Sequence, residues 1–536
     1  MNPVTRPSAL QTKGQVPALW LAVLAAAVSG PINAAAFPAR GWWPLVFLGT
    51  GLMLFSLAGR SIRGSFLVGL LGGVTFWGTH IFWLTIYLGP VPWLALAGLQ
   101  AIFFAIGGVL LTLAWRYIPR LWPGRFGRLG LLPIVLGGLW SLRESVTSVW
   151  PYGGFSWGRL AFSQSESPFA SLVAWFGVSG LSFLLAGLSA LLLQSFREVT
   201  IDAGRRGVVA TAALFVTLAI PAWPIVATGT IRIAAVQGNS DSGLFAQRIP
   251  GQALNDHLAA TIPLLGEKVD AVVWPENASD LNPLEYSQAV QALDYVSSEM
   301  NAPLVTGTIT QDAQGRTFNS LLLWEAGKGA IDQYDKIHPV PFAEYLPDRA
   351  FWYPFAPSLF DLVPRDYSIG TRDNMFDLNG VLAGVAICFD IVDDSLVAQM
   401  MDDGAELILA PTNNADFGHS DESIQQLAIA RLRAIETNRS VVNISTVGTS
   451  AIIAPDGSTI AELPTFEPGS MVESVPLSRV TTLATVLGRS VEWAVGGFAL
   501  VSLVLAVILA PGKKSAPRKK SALAKTPRSP GAGPRV

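Results

Sequence analysis

The sequence contains little of what many proteins depend on: one cysteine, four histidines and only 14% charged residues among 536. A single cysteine cannot form a disulfide within the chain, so Cys388 is a buried thiol, an inert one or a reactive group. The histidines lack metal-ligand spacing, and neither a metal nor another cofactor is expected. The net charge of -2 gives no reason to expect a nucleic-acid partner. Apolar residues are abundant instead, at 51% of the chain.

Apolar runs long enough to cross about 30 Å of hydrocarbon as helices occur repeatedly. We predict eight spans, at residues 17–36, 43–59, 64–88, 93–115, 130–149, 169–194, 206–227 and 490–511. Residues 1–227 are therefore predicted to form a membrane domain with seven transmembrane helices, and residues 488–511 an eighth. Residues 1–36 could alternatively be a cleaved signal peptide. An uncleaved span is favoured because the apolar stretch is long and membrane helices tolerate its Pro31.

Loop charges predict the orientation, because cytoplasmic loops are enriched in Lys and Arg. The loops after the second, fourth and sixth spans are the basic ones, and the N-terminus carries Arg6 and Lys13. Seven crossings from a cytoplasmic start place the following soluble region outside, and the eighth returns the chain. Residues 512–536 carry eight Lys or Arg and no acid, which predicts a disordered cytoplasmic tail that could touch anionic lipid. Five residues near span ends are interpreted as interfacial anchors: Trp42, Trp43, Trp93, Trp150 and Trp157.

Residues 228–480 have a different character, because charges return and short β-branched runs alternate with amphipathic stretches. This alternation favours an α/β sandwich. Strands are predicted at 231–237, 271–274, 303–309, 320–325, 382–388, 406–411, 440–446 and 451–455. Helices are predicted at about 252–266, 284–300, 393–403 and 421–437. The fold class is thus a polytopic α-helical membrane domain joined to a soluble α/β domain.

Three reactive side chains follow predicted strands or extended stretches, where loops can position them. Glu276 lies in AVVWPENAS, Lys336 in IDQYDKIHPVPFAEYLP, and Cys388 ends GVAIC. A carboxylate can take the thiol proton, and a lysine can favour the thiolate and stabilise an oxyanion. These groups suffice for acyl transfer through a thioester. Each also has an ordinary interpretation, as a small buried hydrophobe or a solvated loop residue, and spacing alone does not link them.

The segments WPENAS, YDKIHPVPFAEYLP and GVAICFD, in this order, resemble the nitrilase superfamily, whose Glu-Lys-Cys triad lies in an α-β-β-α sandwich. The V-P-F-x-E-Y-x-P stretch, with seven spans before and one after the domain, is similar to the membrane-bound branch, the apolipoprotein N-acyltransferase family. The resemblance covers nearly the whole chain except the basic tail. It includes VQGN (236–239), FNS (318–320), ARLRAIETNR (430–439) and PYGGFSWGRLAFSQ (151–164).

The resemblance implies a role for each matching residue. Glu276 would be the general base, Lys336 would stabilise the oxyanion, and Cys388 would be the nucleophile that carries the fatty acid. Glu344 matches a further acid that the family needs beside the triad. Asp390 falls where the family usually has Glu, which keeps the charge on a side chain one methylene shorter.

Two positions near the triad depart from the family pattern. Phe389 replaces a usual Tyr, and Asp416 in NNADFGHS takes the place of a common Trp associated with substrate contact. Trp352 or Phe417 could supply apolar surface in its stead. His338, two residues from Lys336, could support the site or be a structural histidine.

The implied reaction moves a fatty acyl group from a phospholipid, through a cysteine thioester, to the α-amine of a lipoprotein's N-terminal diacylglyceryl-cysteine. The partners would be that phospholipid donor, the lipoprotein acceptor and membrane lipid, at the inner membrane of a bacterial cell. Two alternatives stay open. One is a membrane-tethered amidase that uses the same triad with water as second nucleophile. The other is a transporter or scaffold whose outer domain only binds, although few ionisable residues lie in the spans.

Overall fold

The structure is a computed structural model that describes residues 16–197, 203–240, 243, 249–363, 366–511 and 533. The predicted basic tail at 512–536 lies outside the described residues apart from Gly533, as do Arg6 and Lys13. Helices make up the described part of the first 227 residues, and a sandwich of two sheets follows.

The helical region places a helix within or across each of the first seven predicted spans. In chain order the helices are α1 (Leu19–Ala36), α2 (Leu45–Leu57), α3 (Ile62–His80), α4 (Leu84–Leu88), α5 (Pro90–Leu121), α6 (Leu132–Thr147), α7 (Val173–Arg197) and α8 (Ala203–Leu218). The eighth predicted span is also helical, at Ser490–Leu509.

Five described helical segments are long and apolar enough to cross a membrane, judged by length and composition: Leu19–Ala36, Pro90–Leu121, Phe126–Thr147, Ala170–Arg197 and Ser490–Leu509. The prediction of eight spans is confirmed to that extent. α2 is apolar but has only 13 residues, and α8 has 16. α3 has 19 residues, but its glycines, arginine and histidine lower its hydropathy. The chain is therefore a membrane protein with about five clear candidate spans.

Close packing of the helices depends on small residues at the crossing points. A Cβ added to Gly73 of α3 would lie 2.7 Å from the Cα of Ala101 in α5. A Cβ on Gly138 of α6 would lie 2.6 Å from the carbonyl oxygen of Val495 in the last long helix. In lipid the hydrophobic effect does not drive helices together. The close approach of the two backbones at these glycines therefore provides the van der Waals contacts that stabilise helix packing.

The sandwich has twelve described strands in two six-stranded sheets. The strands are β1 (Gly229–Gln237), β2 (Ala271–Val273), β3 (Leu304–Gln311), β4 (Thr317–Glu325), β5 (Gly329–Asp335), β6 (Met375–Leu378), β7 (Val381–Val385), β8 (Leu407–Thr412), β9 (Ser440–Ser445), β10 (Ala451–Ile453), β11 (Thr459–Glu462) and β12 (Gly469–Leu477). The strand order is β12-β1-β2-β3-β4-β5 in one sheet and β11-β10-β9-β8-β7-β6 in the other.

Helices cover the outer face of each sheet. The remaining helices are α9 (Gln252–Thr261), α10 (Ser287–Met300), α11 (Arg349–Trp352), α12 (Pro357–Phe360), α13 (Asp394–Asp402), α14 (Glu422–Thr437), α15 (Leu483–Leu487) and α16 (Ser490–Leu509). Leu254 of α9 and Leu293 of α10 pack in the cluster outside the first sheet. Met400 of α13 and Leu427 of α14 pack outside the second. The predicted α-β-β-α sandwich is confirmed.

The two sheets face each other across an aliphatic core. Its buried side chains come from both sheets and include Ile233, Val273, Leu321, Leu323, Val385, Ile387, Leu409, Val442 and Ile444. Because strands of both sheets end beside this core, loops from opposite sheets meet at its rim. The candidate site lies there.

Charged groups join the sandwich to the helical region behind the cysteine. Arg159, in the loop between α6 and α7, pairs with Asp394 at 2.7 Å, and Asp394 also pairs with Arg433 at 2.6 Å. Glu436 of α14 accepts a hydrogen bond from the backbone N–H of Val178 at 3.1 Å. These contacts fix the start of α13, six residues after the cysteine, against the helices that carry the candidate spans.

Trp157, one of the five tryptophans predicted to be interfacial anchors, is buried inside the protein. Trp157 is 3% exposed and donates a hydrogen bond from Nε1 to Oε1 of Gln425 at 2.7 Å. It therefore belongs to the contact between the helical region and α14, and the prediction of an anchor was wrong for it. Trp42 and Trp150 are 61% and 60% exposed, as anchors would be.

Candidate active site

Both sheets contribute to the candidate site. Glu276 follows β2 and Lys336 follows β5 in the first sheet, whereas Cys388 comes after β7 in the second. The Lys336 Nζ lies 3.5 Å from Oε1 of Glu276, and both side chains are buried. The charges of Glu276 and Lys336 both act on the Cys388 thiol, in opposite directions. The structure thus brings together the three residues that the sequence singled out.

Lys336 is held as a cation by two carboxylates. Its Nζ lies 2.8 Å from Oε2 of Glu344, closer than Glu276, and Glu344 is fixed by the backbone N–H of Val340 at 2.7 Å. Burial alone would lower the pKa of Lys336. The carboxylates of Glu344 and Glu276 outweigh that effect and hold its pKa well above the usual value. Glu344 therefore lies where the resemblance implies a supporting acid.

The carboxylate of Glu276 is oriented by the side-chain amide of Asn319 on β4. Asn319 of β4 donates from Nδ2 to Oε1 of Glu276 at 2.6 Å and to Oε1 of Glu344 at 3.1 Å. The other oxygen of Glu276, Oε2, is buried and has no hydrogen-bond partner among the described residues. Burial raises the pKa of Glu276, against the opposing effect of Lys336. A carboxylate whose pKa is raised by burial is suited to accept a proton.

Cys388 was predicted to end its strand, but it lies three residues beyond the observed strand end, because β7 stops at Val385 and a short 3-10 helix begins at the cysteine. Its φ of +51° is in the left-handed region, a conformation that costs about 1–3 kcal/mol for a residue other than glycine. Such strain persists where the surrounding structure fixes it, as it often does at active sites. Burial and the Glu276 charge raise the pKa of the thiol, so the thiolate forms only when a base takes its proton.

Asp390 connects the lysine loop to the cysteine turn. It is fully buried and accepts hydrogen bonds from the hydroxyl of Tyr334 at 2.8 Å, the N–H of His338 at 3.0 Å and the N–H of Ile387 at 3.1 Å. Burial raises the pKa of Asp390 and the charge of Lys336 opposes that rise. Its carboxylate thus positions the turn, and does so with three donors drawn from both sheets.

Aromatic rings from the helical region extend to the nucleophile. Phe389, next to the cysteine, stacks with Trp157 and with Phe155, with ring centroids 6.3 Å apart in each case. Phe417, near the position of Asp416, meets Trp83 edge to face at 5.1 Å. The stack of Phe389, Trp157 and Phe155 thus forms an apolar wall that begins at the residue after Cys388.

The loop after Lys336 also contacts the helical region. Trp352 donates from Nε1 to the hydroxyl of Tyr152 at 3.0 Å, and that hydroxyl donates to Asp348 at 2.7 Å. The Nε2 of His338 lies 3.3 Å from Oδ2 of Asp393, directly before α13. Both predicted sources of apolar surface, Trp352 and Phe417, therefore face the helices.

Two of these partners were not identified as site residues from the sequence. Both lie within motifs that carry the resemblance, Asn319 in FNS and Tyr334 in YDKIHPVPFAEYLP, but neither was assigned a role. Asn319 is a polar residue in the mostly buried strand TFNSLLLWE, and such a residue is expected to hydrogen-bond. That signal could have indicated Asn319 but not its partner.

Comparison with known proteins agrees with this architecture. The carbon-nitrogen hydrolase family model matches residues 232–485, and the apolipoprotein N-acyltransferase N-terminal domain model matches residues 29–191. An apolipoprotein N-acyltransferase from Mycolicibacterium smegmatis is 32% identical over 529 residues, covering 92% of this chain and 86% of that protein. One from Photobacterium profundum is 27% identical over 515 residues, covering 91% and 95%.

Two solved structures are each similar to about half of this chain. Nit3 from Saccharomyces cerevisiae, a member of branch 10 of the nitrilase superfamily, is 18% identical and covers 47% of this chain and 91% of its own, with a TM-score of 0.37. An amidase from Nesterenkonia sp. is 17% identical and covers 48% and 94%, with a TM-score of 0.36.

Proposed function

The chain belongs to the apolipoprotein N-acyltransferase family, and we propose from this that Cys388 carries a fatty acyl group from a phospholipid to a lipoprotein. The acceptor is the α-amine of an N-terminal diacylglyceryl-cysteine, and the reaction is the last step of lipoprotein maturation. One observation carries the proposal: the 32% identity to the Mycolicibacterium smegmatis relative spans 92% of the chain, so both regions are shared. The chain is accordingly an acyltransferase.

In the first half-reaction, Glu276 takes the proton from the Cys388 thiol, and the sulfur attacks the ester carbonyl of the phospholipid. Negative charge moves to the carbonyl oxygen, where the Lys336 ammonium stabilises it together with the backbone N–H of Phe389. The C–O bond then breaks. The lysophospholipid oxygen recovers the proton from Glu276, and a thioester remains on Cys388.

In the second half-reaction, the free α-amine of the lipoprotein attacks the thioester carbonyl. Lys336 stabilises the same oxyanion, and Glu276 takes a proton from the nitrogen as the C–N bond forms. The C–S bond breaks and the sulfur regains that proton. The two products leave in separate steps, which makes the scheme ping-pong.

Water has to be kept from the thioester for transfer to succeed. The rings of Phe389, Trp157 and Phe155 supply an apolar wall at the cysteine, continuous with the helical region. An amidase that uses water needs no such helices, and the match of residues 29–191 to an acyltransferase domain favours transfer over the amidase alternative.

Purified protein in phospholipid vesicles should convert a diacylglyceryl peptide to its N-acylated form, with one lysophospholipid released for each peptide acylated. Chromatography with mass detection measures both products. A peptide with a blocked α-amine is the matched control and should stay unmodified. Release of free fatty acid without acylated peptide, or ammonia from small amides, would overturn the proposed function in favour of hydrolysis.

We further propose an orientation in the inner membrane. Residues 1–227 cross seven times and residues 488–511 once, which leaves residues 228–480 on the extracytoplasmic side and residues 512–536 in the cytoplasm. Two independent features support this orientation: the odd number of crossings before residue 228, and the enrichment of Lys and Arg in alternate loops. The arrangement places the site at the outer leaflet, where both lipid-anchored substrates can reach it.

The single cysteine makes the orientation easy to test. In a Cys388→Ser background, Lys328→Cys in the exposed β4–β5 turn should react with a membrane-impermeant maleimide on intact spheroplasts. Arg63→Cys, exposed at the start of α3, should react only after permeabilisation. For both cysteine variants, labelling is measured as a shift of the protein band on a gel. The reverse pattern would place the sandwich in the cytoplasm and contradict the orientation.

A further inference from the structure

A fourth acid lies at the site, and the mechanism above does not use it. Glu422, the first residue of α14, is 3% exposed, and its Oε2 accepts a hydrogen bond from Nδ2 of Asn414 at 2.8 Å. Its charge, when present, raises the pKa of the Cys388 thiol. A buried carboxyl in electrostatic contact with a nucleophile affects the reaction whether or not it touches substrate.

Hydrogen bonds connect Glu422 to the cysteine. Asn414 donates its second amide hydrogen to Oε1 of Gln426 at 2.8 Å. The hydroxyl of Thr412, at the end of β8, lies 3.1 Å from that same oxygen, and its side-chain hydrogen bond to Cys388 lowers the pKa of the thiol. These side chains are at least 95% buried except that of Cys388. They form one chain, which runs from Glu422 through Asn414, Gln426 and Thr412 to the sulfur.

The orientation of the central amide is fixed. Ser445 of β9 donates from Oγ to Oδ1 of Asn414 at 2.8 Å, so the amide nitrogen must point towards Glu422 and Gln426. Removing the acceptor at Glu422 would leave one buried amide hydrogen without a partner. An unpaired buried donor is unfavourable, so Asn414 would shift, and the shift would pass to Thr412.

The environment favours the neutral form of the acid. Burial raises the pKa of Glu422 to about 8, against the opposing hydrogen bond from Asn414. The charged groups that face it are Glu276, from the loop after β2, and Asp416, from the loop after β8, and both raise that pKa further. Below about pH 8 the carboxyl is protonated, and above it a negative charge joins the one on Glu276 beside the thiol.

We propose that Glu422 is a positioning residue for this transfer: its neutral carboxyl holds Asn414 and thereby Thr412 against Cys388, and its ionisation slows thioester formation. The inference rests on the proposed function, because it assumes that Cys388 is the nucleophile. The added negative charge disfavours the thiolate, and each unit by which it raises the thiol pKa lowers the thiolate fraction about tenfold.

The test is the pH profile of acyl-enzyme formation, measured from labelled phospholipid without an acceptor, so that ionisation of the amine does not contribute. Glu422→Gln reproduces the shape of the neutral acid and cannot ionise. The ratio of its rate to the wild-type rate should rise about tenfold between about pH 7 and about pH 9.5. Glu406→Gln is the control, because Glu406 is a buried acid that pairs with Arg479 away from the site. The ratio of the Glu406→Gln rate to the wild-type rate should stay constant over the same pH range.

Glu422→Leu separates positioning from charge, because it removes the acceptor as well as the ionisation. It should form acyl-enzyme more slowly than Glu422→Gln at every pH. A flat Glu422→Gln ratio in an active enzyme, or equal rates for the Gln and Leu variants, would overturn the inference and leave the proposed function intact. A wild-type protein that forms no acyl-enzyme at any pH would overturn the proposed function itself.

Discussion

Replacing Cys388 with alanine should abolish acylation of the diacylglyceryl peptide, with a loss of about ten-thousand-fold or more. The chain has one sulfur nucleophile, and without it neither the thioester nor the second half-reaction can occur. Turnover of purified wild-type and variant protein in vesicles of the same phospholipid measures the effect. Alanine has no side chain beyond Cβ, so the variant retains the geometry of the turn while losing the reacting atom.

A matched variant keeps this result from being read as misfolding. Cys388→Ser preserves the size and the hydrogen bond to Thr412, and it should be as inactive as alanine because a hydroxyl is far harder to ionise than a thiol. Both variants should melt near the wild-type temperature when scanned in detergent. Acylated peptide from either variant at more than a few per cent of the wild-type rate would contradict the role of Cys388.

Replacing Lys336 with methionine should lower the rate of acyl-enzyme formation by about 100- to 1,000-fold. Methionine is similar in length but cannot stabilise the oxyanion. Loss of the ammonium also removes a positive charge that lowers the pKa of the Cys388 thiol, so less thiolate forms. Single-turnover acylation from labelled phospholipid measures the rate, and Lys328→Met, at an exposed position, is the control.

The same change should also destabilise the protein, because Lys336 lies between the carboxylates of Glu276 and Glu344. Removing one partner of a buried ion pair costs about 3–5 kcal/mol. Adding Glu344→Gln to Lys336→Met should restore part of the thermal stability without restoring the rate. Recovery of the rate together with the stability would show that Lys336 acts only on the fold.

The sandwich could be predicted from the sequence except at its margins. Eight strands were predicted near their observed positions, and the four that were missed, β5, β6, β11 and β12, are the edge strands of the two sheets. An edge strand has a neighbour on one side only and needs less apolar sequence, as the partly exposed GAIDQYD of β5 illustrates. The periodicity that reveals a central strand is weak in such segments.

The reactive residues were predictable because each follows a strand and lies in a recognisable motif. Of their supporting groups, the resemblance implied Glu344 and Asp390, whereas Asn319 and Tyr334 were not assigned a role because their contacts depend on register and on packing between sheets. Tyr334 reaches Asp390 across the two sheets, 56 residues away in the chain. Glu422 has the position of an ordinary acid in the first turn of a helix, which is normally solvated. Only the tertiary structure shows that it is buried beside Cys388.

In the helical region, too, the sequence predicted local structure but not the tertiary contacts. Composition indicated where apolar helices occur, and helices lie at all eight positions within the described residues. Composition could not distinguish a tryptophan at a membrane surface from one at an internal contact. Trp157 is buried because Gln425 of the sandwich accepts its N–H, and the two residues are 268 positions apart.

The most direct test of the central claim is the intact mass of the protein after incubation with phospholipid and no acceptor. We predict an added mass of one fatty acyl chain, mapped to the peptide that contains Cys388, removed by neutral hydroxylamine and discharged when the diacylglyceryl peptide is added. An unmodified cysteine in protein that nevertheless acylates the peptide would contradict the account.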